Sequence, residues 1–342
     1  MSYRDALARA LRDEMRSDPN VFVFGLDVPD HKKIYGSTVG LLEEFGEKRC
    51  FGTPLSEDAM TGVAIGAALA GLRPIHVHIR SDFLLLGMNQ LANVASTIAY
   101  NSDGRLSVPL VIRAVTGRGW GQGAQHSKSL HGVFAHIPGL KMVLPTTPQD
   151  AYGLLRASVR DNNPVIFLEH RWSYDVTGSV DVDAPDVLGE AKCLRSGDAV
   201  TVLGVSWMNF EALQAATILA KRGIEVEVID IRSLMPLDEK KIIQSVMKTK
   251  NCVIADYDWV FGGFSAELAA LVGAGCFGKL SKPIVRLGFA HTPCPTARPL
   301  ENAFYPSSKD IIRTIEKMLD VSPTDLSGES FYSYEERFKG PF

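Results

Sequence analysis

Apolar and polar positions come in blocks along this chain, not in strict alternation. Five short runs rich in Val, Ile, Leu and Phe recur in the first half: Val21–Leu26, Pro74–Ile79, Val108–Val115, Met142–Leu144 and Val165–Glu169. Near-continuous apolar runs of this length predict strands buried on both faces. Between them, Ser2–Met15, Glu57–Ala70, Phe83–Tyr100 and Pro148–Arg160 carry apolar residues at helical spacing. Strands that alternate with helices predict a parallel sheet covered on both sides. Asp175–Gly189 interrupts the pattern, being rich in Asp, Val, Gly and Pro without a helical period, and reads as a crossover linker. A second run follows, with strands at Ala199–Val205, Val226–Ile231, Cys252–Asp256 and Ile284–Leu287. Its helices are expected at Asn209–Arg222, Asp238–Met247, Ser265–Val272 and Ile311–Leu319. The fold class is therefore α/β with two doubly wound domains. They span residues 1–174 and 190–320, joined by the linker 175–189 and followed by a polar, aromatic tail 321–342.

The length of 342 residues agrees, since domains average about 150 residues. A chain this long buries about 75% of its unfolded surface and needs no disulfide or metal staple. The 36 basic and 39 acidic residues give no net basic field, so nucleic acid is not an expected partner. The longest apolar stretch, Gly62–Leu72, is far short of the roughly 20 residues of a membrane span. Five scattered cysteines with no C-x-x-C pair point to a reducing compartment and no thiolate metal site. Arg4, Arg9, Arg12 and Arg16 have the spacing of a targeting presequence, but Asp5, Asp13 and Glu14 are foreign to one. The segment reads as an ordinary first helix, and a cytoplasmic location is expected.

Candidate chemistry concentrates in the first domain. Thr53–Asp58 precedes an apolar helix, with Ser56 as the expected cap and Glu57 and Asp58 at the positive end of the dipole. Gly62, Gly66, Ala67, Ala70 and Gly71 leave little bulk on one side of that helix. Small residues four apart allow close helix approach, which predicts contact with a second copy of the chain through the Gly62–Gly66 helix. His76 and His78 are two apart on a strand and face one side. With His131 and His136 they evoke a metal site, but no carboxylate or cysteine completes a ligand spacing. Gly119-x-Gly121-x-x-Ala124 has dinucleotide-loop spacing without the acid about 20 residues on that would hold a ribose. Alternating glycines there suit a loop lining an active site.

Several longer motifs carry a resemblance. Thr53-Pro-Leu-Ser-Glu57, Gly66-Ala-Ala, Gly71-Leu-Arg-Pro-Ile75, Asp82-Phe83 and Gln90-Leu-Ala-Asn93 occur in order. Gln125-His126-Ser127, His136-Ile-Pro-Gly-Leu-Lys141, Arg160-Asp-Asn-Asn-Pro164 and Glu169-His170 follow. Over residues 1–320 the chain resembles the beta chain of the thiamine-diphosphate-dependent 2-oxo acid dehydrogenases, within the wider transketolase-like group. The resemblance implies a pyrimidine-binding domain followed by a transketolase C-terminal-like domain. It makes Glu57 the carboxyl that hydrogen-bonds the cofactor's aminopyrimidine and favours its imino tautomer. Phe83 becomes the aromatic residue stacked on that ring, Leu55 a further cofactor contact, and His126 the histidine facing the reacting carbon. Leu110, Ser158, Val159, Asp161 and Asn163 match positions that bind a monovalent cation, such as potassium, in some relatives. The plain alternative is a helix-to-strand turn closed by Asn-Asn-Pro.

One family element is missing. The diphosphate and its magnesium are held by a Gly-Asp-Gly motif with an asparagine some 25 to 30 residues on, by family expectation. Here Gly197-Asp198-Ala199 is the nearest match, and Met208-Asn209 follows far too soon. The resemblance therefore implies an alpha chain that carries magnesium and the diphosphate half, in an assembly of two alpha and two beta chains. The expected reaction decarboxylates a 2-oxo acid or cleaves acetoin, then reductively acylates a lipoyl group on an acyltransferase core. Half of a split transketolase and a non-catalytic assembly subunit are the competing readings.

Overall fold

Strong local signals start and stop the helices that frame the first unit. Helix α1 (Tyr3–Ser17) begins after Ser2, whose hydroxyl accepts from Asp5 N at 3.2 Å, and buries Tyr3, Ala6, Leu7, Ala10, Leu11 and Met15. That i, i+3, i+4 pattern makes one apolar stripe. The computed structural model describes residues 1–30, 32–118, 122–184 and 187–333. It separates into two compact units. The first takes 1–118, 128–189 and 233–236, and the second takes 122–127, 190–232 and 237–333.

In chain order the first unit continues with β1 (Val21–Gly25), α2 (Leu41–Phe45), β2 (Cys50–Gly52), α3 (Glu57–Leu69) and β3 (Arg73–His78). Then come α4 (Ile98–Asn101) and β4 (Val111–Thr116). The short α5 (Gly123–His126) belongs to the second unit. The first resumes with α6 (His131–Ala135), β5 (Lys141–Val143), α7 (Pro148–Arg160) and β6 (Val165–His170). The second unit holds β7 (Lys192–Arg195), β8 (Val200–Gly204), α8 (Met208–Ala220) and β9 (Val226–Asp230). β10 (Ser233–Met235) returns to the first. Next are α9 (Glu239–Thr249), β11 (Cys252–Trp259), α10 (Phe264–Gly275), β12 (Val285–Phe289), α11 (Arg298–Phe304) and α12 (Ser308–Met318).

The first sheet has the order β10-β5-β6-β4-β3-β1-β2. Its pairs are parallel except for β10, which runs antiparallel to β5. Helices α1 and α7 lie together on one face over Val21, Val23, Ile75, Val77, Val111, Val165 and Phe167. Helix α7 starts with a reciprocal capping box between Thr147 and Asp150 and with Pro148 in its first turn, which explains its sharp boundary. Glu14 of α1, 3% exposed, receives Arg156 at 2.8 Å and Arg160 at 2.7 Å from α7. Helix α3 packs on β3 from the other side. Deep in the sheet Arg113 on β4 pairs with Glu169 on β6, and Tyr174 donates to the same carboxylate at 2.6 Å.

The expected single helix Phe83–Tyr100 is broken. It forms a 3₁₀ turn at Ser81–Gly87, a π turn at Gln90–Ala95 and only then α4. Two causes are local. A side chain at Gly87 would sit 3.0 Å from Thr61 Oγ1, because α3 crosses there. Ser96 and Thr97 hydroxyls bond back to the carbonyls of Ala92 and Asn93 at 2.8 and 3.0 Å, which loosens the ladder.

The second sheet has the order β12-β11-β8-β9-β7, parallel but for the edge strand β7 against β9. Buried Glu211 of α8 accepts from Trp207 Nε1 and from Ser308 N at the start of α12, each at 2.9 Å. The tail lies on this unit: Arg222 donates to Ser322 O at 2.6 Å and Gln214 to Ser330 O at 3.1 Å. Residues 334–342 of the expected tail lie outside the described residues. Among the described residues no helix is long and apolar enough to cross a membrane.

Candidate active site

Three pieces of the first unit meet at one cleft, lined among others by Leu55, Glu57, Met60, His76, His78 and Phe83. Glu57 is the first residue of α3, whose start is fixed by Met60 N donating to Ser56 O at 2.9 Å and Thr61 Oγ1 to Glu57 O at 2.7 Å. The Ser56 hydroxyl does not cap the helix, contrary to expectation. Its backbone, at φ −156° and ψ 63°, lies outside the usual extended region of a capping residue. Phe83 rides on the 3₁₀ turn, which is tied down at both sides. Asp82 Oδ1 accepts from Lys128 Nζ at 3.1 Å, Ser81 Oγ donates to Lys128 O at 2.9 Å, and Arg80 Nη1 donates to Gly117 O at 2.7 Å. Gln90 Nε2 donates to Asp58 at 3.2 Å and ties the π turn to the start of α3.

Among the described residues, Glu57 is the one charged residue lining the cleft. The described lining combines this carboxyl with apolar and aromatic walls. Burial drives the proton affinity of both histidines down: His78 falls to about 4, and His76 falls well below its ordinary value through burial and then the neighbouring His78. Their place in the cleft floor is the feature that the residue spacing did not reveal. The i, i+2 spacing told only that they share a face.

The other expected residues lie elsewhere. His126, half-buried, ends α5 in the second unit, where a side chain at Gly123 would collide with Thr296. Gly119 and Gly121 of the glycine loop lie outside the described residues. Exposed His136 and buried His131, whose Nδ1 is 2.9 Å from Ser129 Oγ, do not line the cleft. Gly197-Asp198-Ala199 enters β8 with the Asp198 and Ala199 amides both bonded to Glu225 O, at 3.1 and 3.0 Å. Both amides are thus used within the sheet.

Leu110, Ser158, Val159, Asp161 and Asn163 do come together, at the turn from α7 into β6. Its acceptors are occupied from within the chain. Leu110 O accepts from Val165 N at 2.8 Å, Ser158 O from Asp161 N at 3.3 Å, and Val159 O from Arg73 at 2.9 Å. Asp161 accepts from Lys141 and from the Asn163 amide and side chain, each of the latter at 2.8 Å. Burial alone would raise the Asp161 carboxyl, but these bonds outweigh it and hold the pKa below the ordinary value.

Residues 1–176 match the family of the transketolase pyrimidine-binding domain, and residues 189–311 match that of the transketolase C-terminal domain. Over 322 residues the chain is 38% identical to the pyruvate dehydrogenase E1 component subunit beta of Rickettsia felis, covering 93% of this chain and 98% of the relative. It is 41% identical over 307 residues to the 2-oxoisovalerate dehydrogenase subunit beta of Bacillus subtilis, covering 89% and 94%. The chain belongs to the 2-oxo acid dehydrogenase beta-subunit family. Members of this family are subunits of oxidoreductases, and their two domains have the transketolase fold. That fold is also seen in a split-gene transketolase solved as an inactive beta4 tetramer, with a TM-score of 0.76 at 21% identity, covering 94% and 99%. A Campylobacter jejuni transketolase shares it with a TM-score of 0.68 at 14% identity, covering 93% of this chain and 46% of that one.

Proposed function

We propose that this chain is the beta subunit of a thiamine-diphosphate-dependent 2-oxo acid or acetoin dehydrogenase and works only with an alpha subunit. The observation that carries the reading is the cleft itself: one carboxyl, Glu57, at a helix start, an aromatic ring, Phe83, on a pinned turn, and no cationic wall. Those residues fit the pyrimidine half of the cofactor. Glu57 holds or gives a proton at the ring nitrogen, Phe83 packs on the ring face, and Leu55 and Met60 exclude water. When bound, the cofactor supplies the carbon nucleophile and the electron sink for the decarboxylated fragment. Magnesium and the diphosphate fall to the alpha subunit, in an assembly of two alpha and two beta chains. His126 acts on the substrate side, orienting the 2-oxo carboxylate or moving a proton. The oxidant would be the lipoyl disulfide of an acyltransferase core, one sulfur of which would end as the acyl thioester and the other as a thiol.

A second copy of the chain would pack on the outer face of α3. There Val63 and Leu69 are exposed, and a side chain at Gly66 would meet nothing within 4 Å. Val159 O and the Asp161 carboxylate already accept from Arg73 and Lys141, which favours the self-closed turn over a monovalent cation there.

The test is reconstitution with an alpha chain, thiamine diphosphate and magnesium, followed by a panel of 2-oxo acids and acetoin with lipoyl-domain acylation as readout. Acylation by at least one substrate is expected. Ketol transfer to aldose acceptors without acylation would favour the transketolase reading, and no turnover of either kind the assembly reading. His126→Ala is expected to lower lipoyl acylation while leaving cofactor affinity in place.

A further inference from the structure

The floor of the cleft holds a polar feature that neither Glu57 nor Phe83 uses. Strand β3 turns Ile75 and Val77 into the core beneath α1 and α7, which puts His76 and His78 on the opposite face, toward α3. Their rings are 4.2 Å apart, and His76 stacks on Phe24 at 4.6 Å. The two residues are only 2% and 4% exposed, yet both line the cleft with Glu57. Nδ1 of His76 and Nε2 of His78 are sealed from solvent with no hydrogen-bond partner. Burial keeps both rings unprotonated at neutral pH.

A neutral imidazole has one N–H donor and one lone-pair acceptor. A sealed nitrogen without a partner is tolerated better as a lone pair than as an N–H, since orphaned buried donors are the rarer case. This assigns the lone pairs to the sealed atoms and the protons to the other two, Nε2 of His76 and Nδ1 of His78. Those are the nitrogens left to face the cleft, so its floor presents donors and no charge. An aminopyrimidine offers a ring-nitrogen lone pair beside its amino group. The corresponding oxopyrimidine carries an N–H at that ring position and would meet donor with donor.

Resting on the reading of this cleft as a pyrimidine site, we propose that His76 and His78 are cofactor-contacting residues. One of the two rings donates a hydrogen bond to the pyrimidine nitrogen beside the amino group, and the pair selects the amino ring over the oxo ring.

The test uses the alpha–beta complex and two probes, thiamine diphosphate and its analogue with oxo in place of the amino group. Affinities come from calorimetry, and the readout is the ratio of the two. The double substitution His76→Leu with His78→Leu keeps side-chain bulk and removes both donors. It should weaken thiamine diphosphate binding about tenfold or more, as for a lost hydrogen bond, and leave the oxo analogue nearly unchanged. A ratio within about twofold of wild type overturns the proposal, whatever happens to the melting temperature of the cofactor-free complex. If the leucine variant does not fold, the pair His76→Asn with His78→Asn decides. Asparagine presents donor and acceptor alike, so the ratio should collapse, and an unchanged ratio again overturns the proposal. A wild-type complex that binds neither probe would overturn the pyrimidine reading of the cleft together with this one. Binding by wild type with no change in the variants overturns this one alone.

Discussion

Within one seven-stranded unit, the cleft at Glu57 and the turn at 158–163 treat their polar atoms in opposite ways. At the turn, each side-chain and carbonyl acceptor described above already has a donor from Arg73, Lys141, Asn163 or the backbone. At the cleft, two buried histidine nitrogens have none. Both segments matched family motifs, so motif likeness did not separate them. What separates them is where the polar groups lead: those of the turn are joined to one another, whereas Glu57, His76 and His78 line a cleft. The turn is closed by its own chain, and the cleft is open to a ligand.

The sharpest way to break this comparison is Glu57→Gln. The amide keeps the shape of the carboxyl and loses its proton chemistry, so turnover of the reconstituted enzyme should fall about 10²–10⁴-fold while size-exclusion chromatography shows unchanged assembly. Wild-type turnover would remove the cleft from the mechanism. Next comes acid. The unfolded chain binds a proton at His78 near the ordinary 6.5, whereas the folded chain binds it only near about 4. Stability from this residue is therefore full above about 6.5 and is lost as pH falls toward 4, by up to about 3 kcal/mol. Urea titrations of wild type and His78→Leu across that window should diverge, with the variant the less acid-sensitive.

Smaller effects belong to the turn. Asp161→Ala leaves Lys141 and Asn163 without their acceptor and should cost about 1–2 kcal/mol of stability with no change in cofactor affinity. A drop in cofactor affinity alone would reverse the contrast drawn above. The smallest expected effect is that of potassium. An ion held at a hundred times its Kd would add about 2.7 kcal/mol, so exchanging potassium for sodium should leave the melting curve in place if the turn is self-closed.

The sequence made much of this visible, unevenly. Helix α7 begins where its residues say it should, because Thr147, Pro148 and Asp150 form a local start signal. Glu57 and Phe83 stood out by motif, and the fold brings them to one cleft. The histidine floor stayed hidden because a strand pattern gives the side a residue faces, not what lies across from it. The break at Gly87 stayed hidden for a similar reason: it depends on where α3 crosses, and periodicity within 83–100 carries no trace of Thr61. The edge strands β2, β7 and β10 were not expected from the sequence: β2 and β7 are only partly buried and β10 joins the first sheet from within the second run, so none shows as a separate apolar block.

Strand β10 has a consequence for synthesis. It enters the first sheet from residues 233–235, well after the other six strands, and pairs Ser233 with Val143 and Met235 with Met142. A nascent chain that has emerged only as far as Gly189 holds six strands and an uncovered β5, whose free amides and carbonyls invite pairing with another chain. The first sheet is thus finished only after β8 and β9 of the second have been made. A fragment cut at the linker would reproduce that unfinished state permanently, and its expected fate is self-association through β5, not a soluble pyrimidine-binding domain.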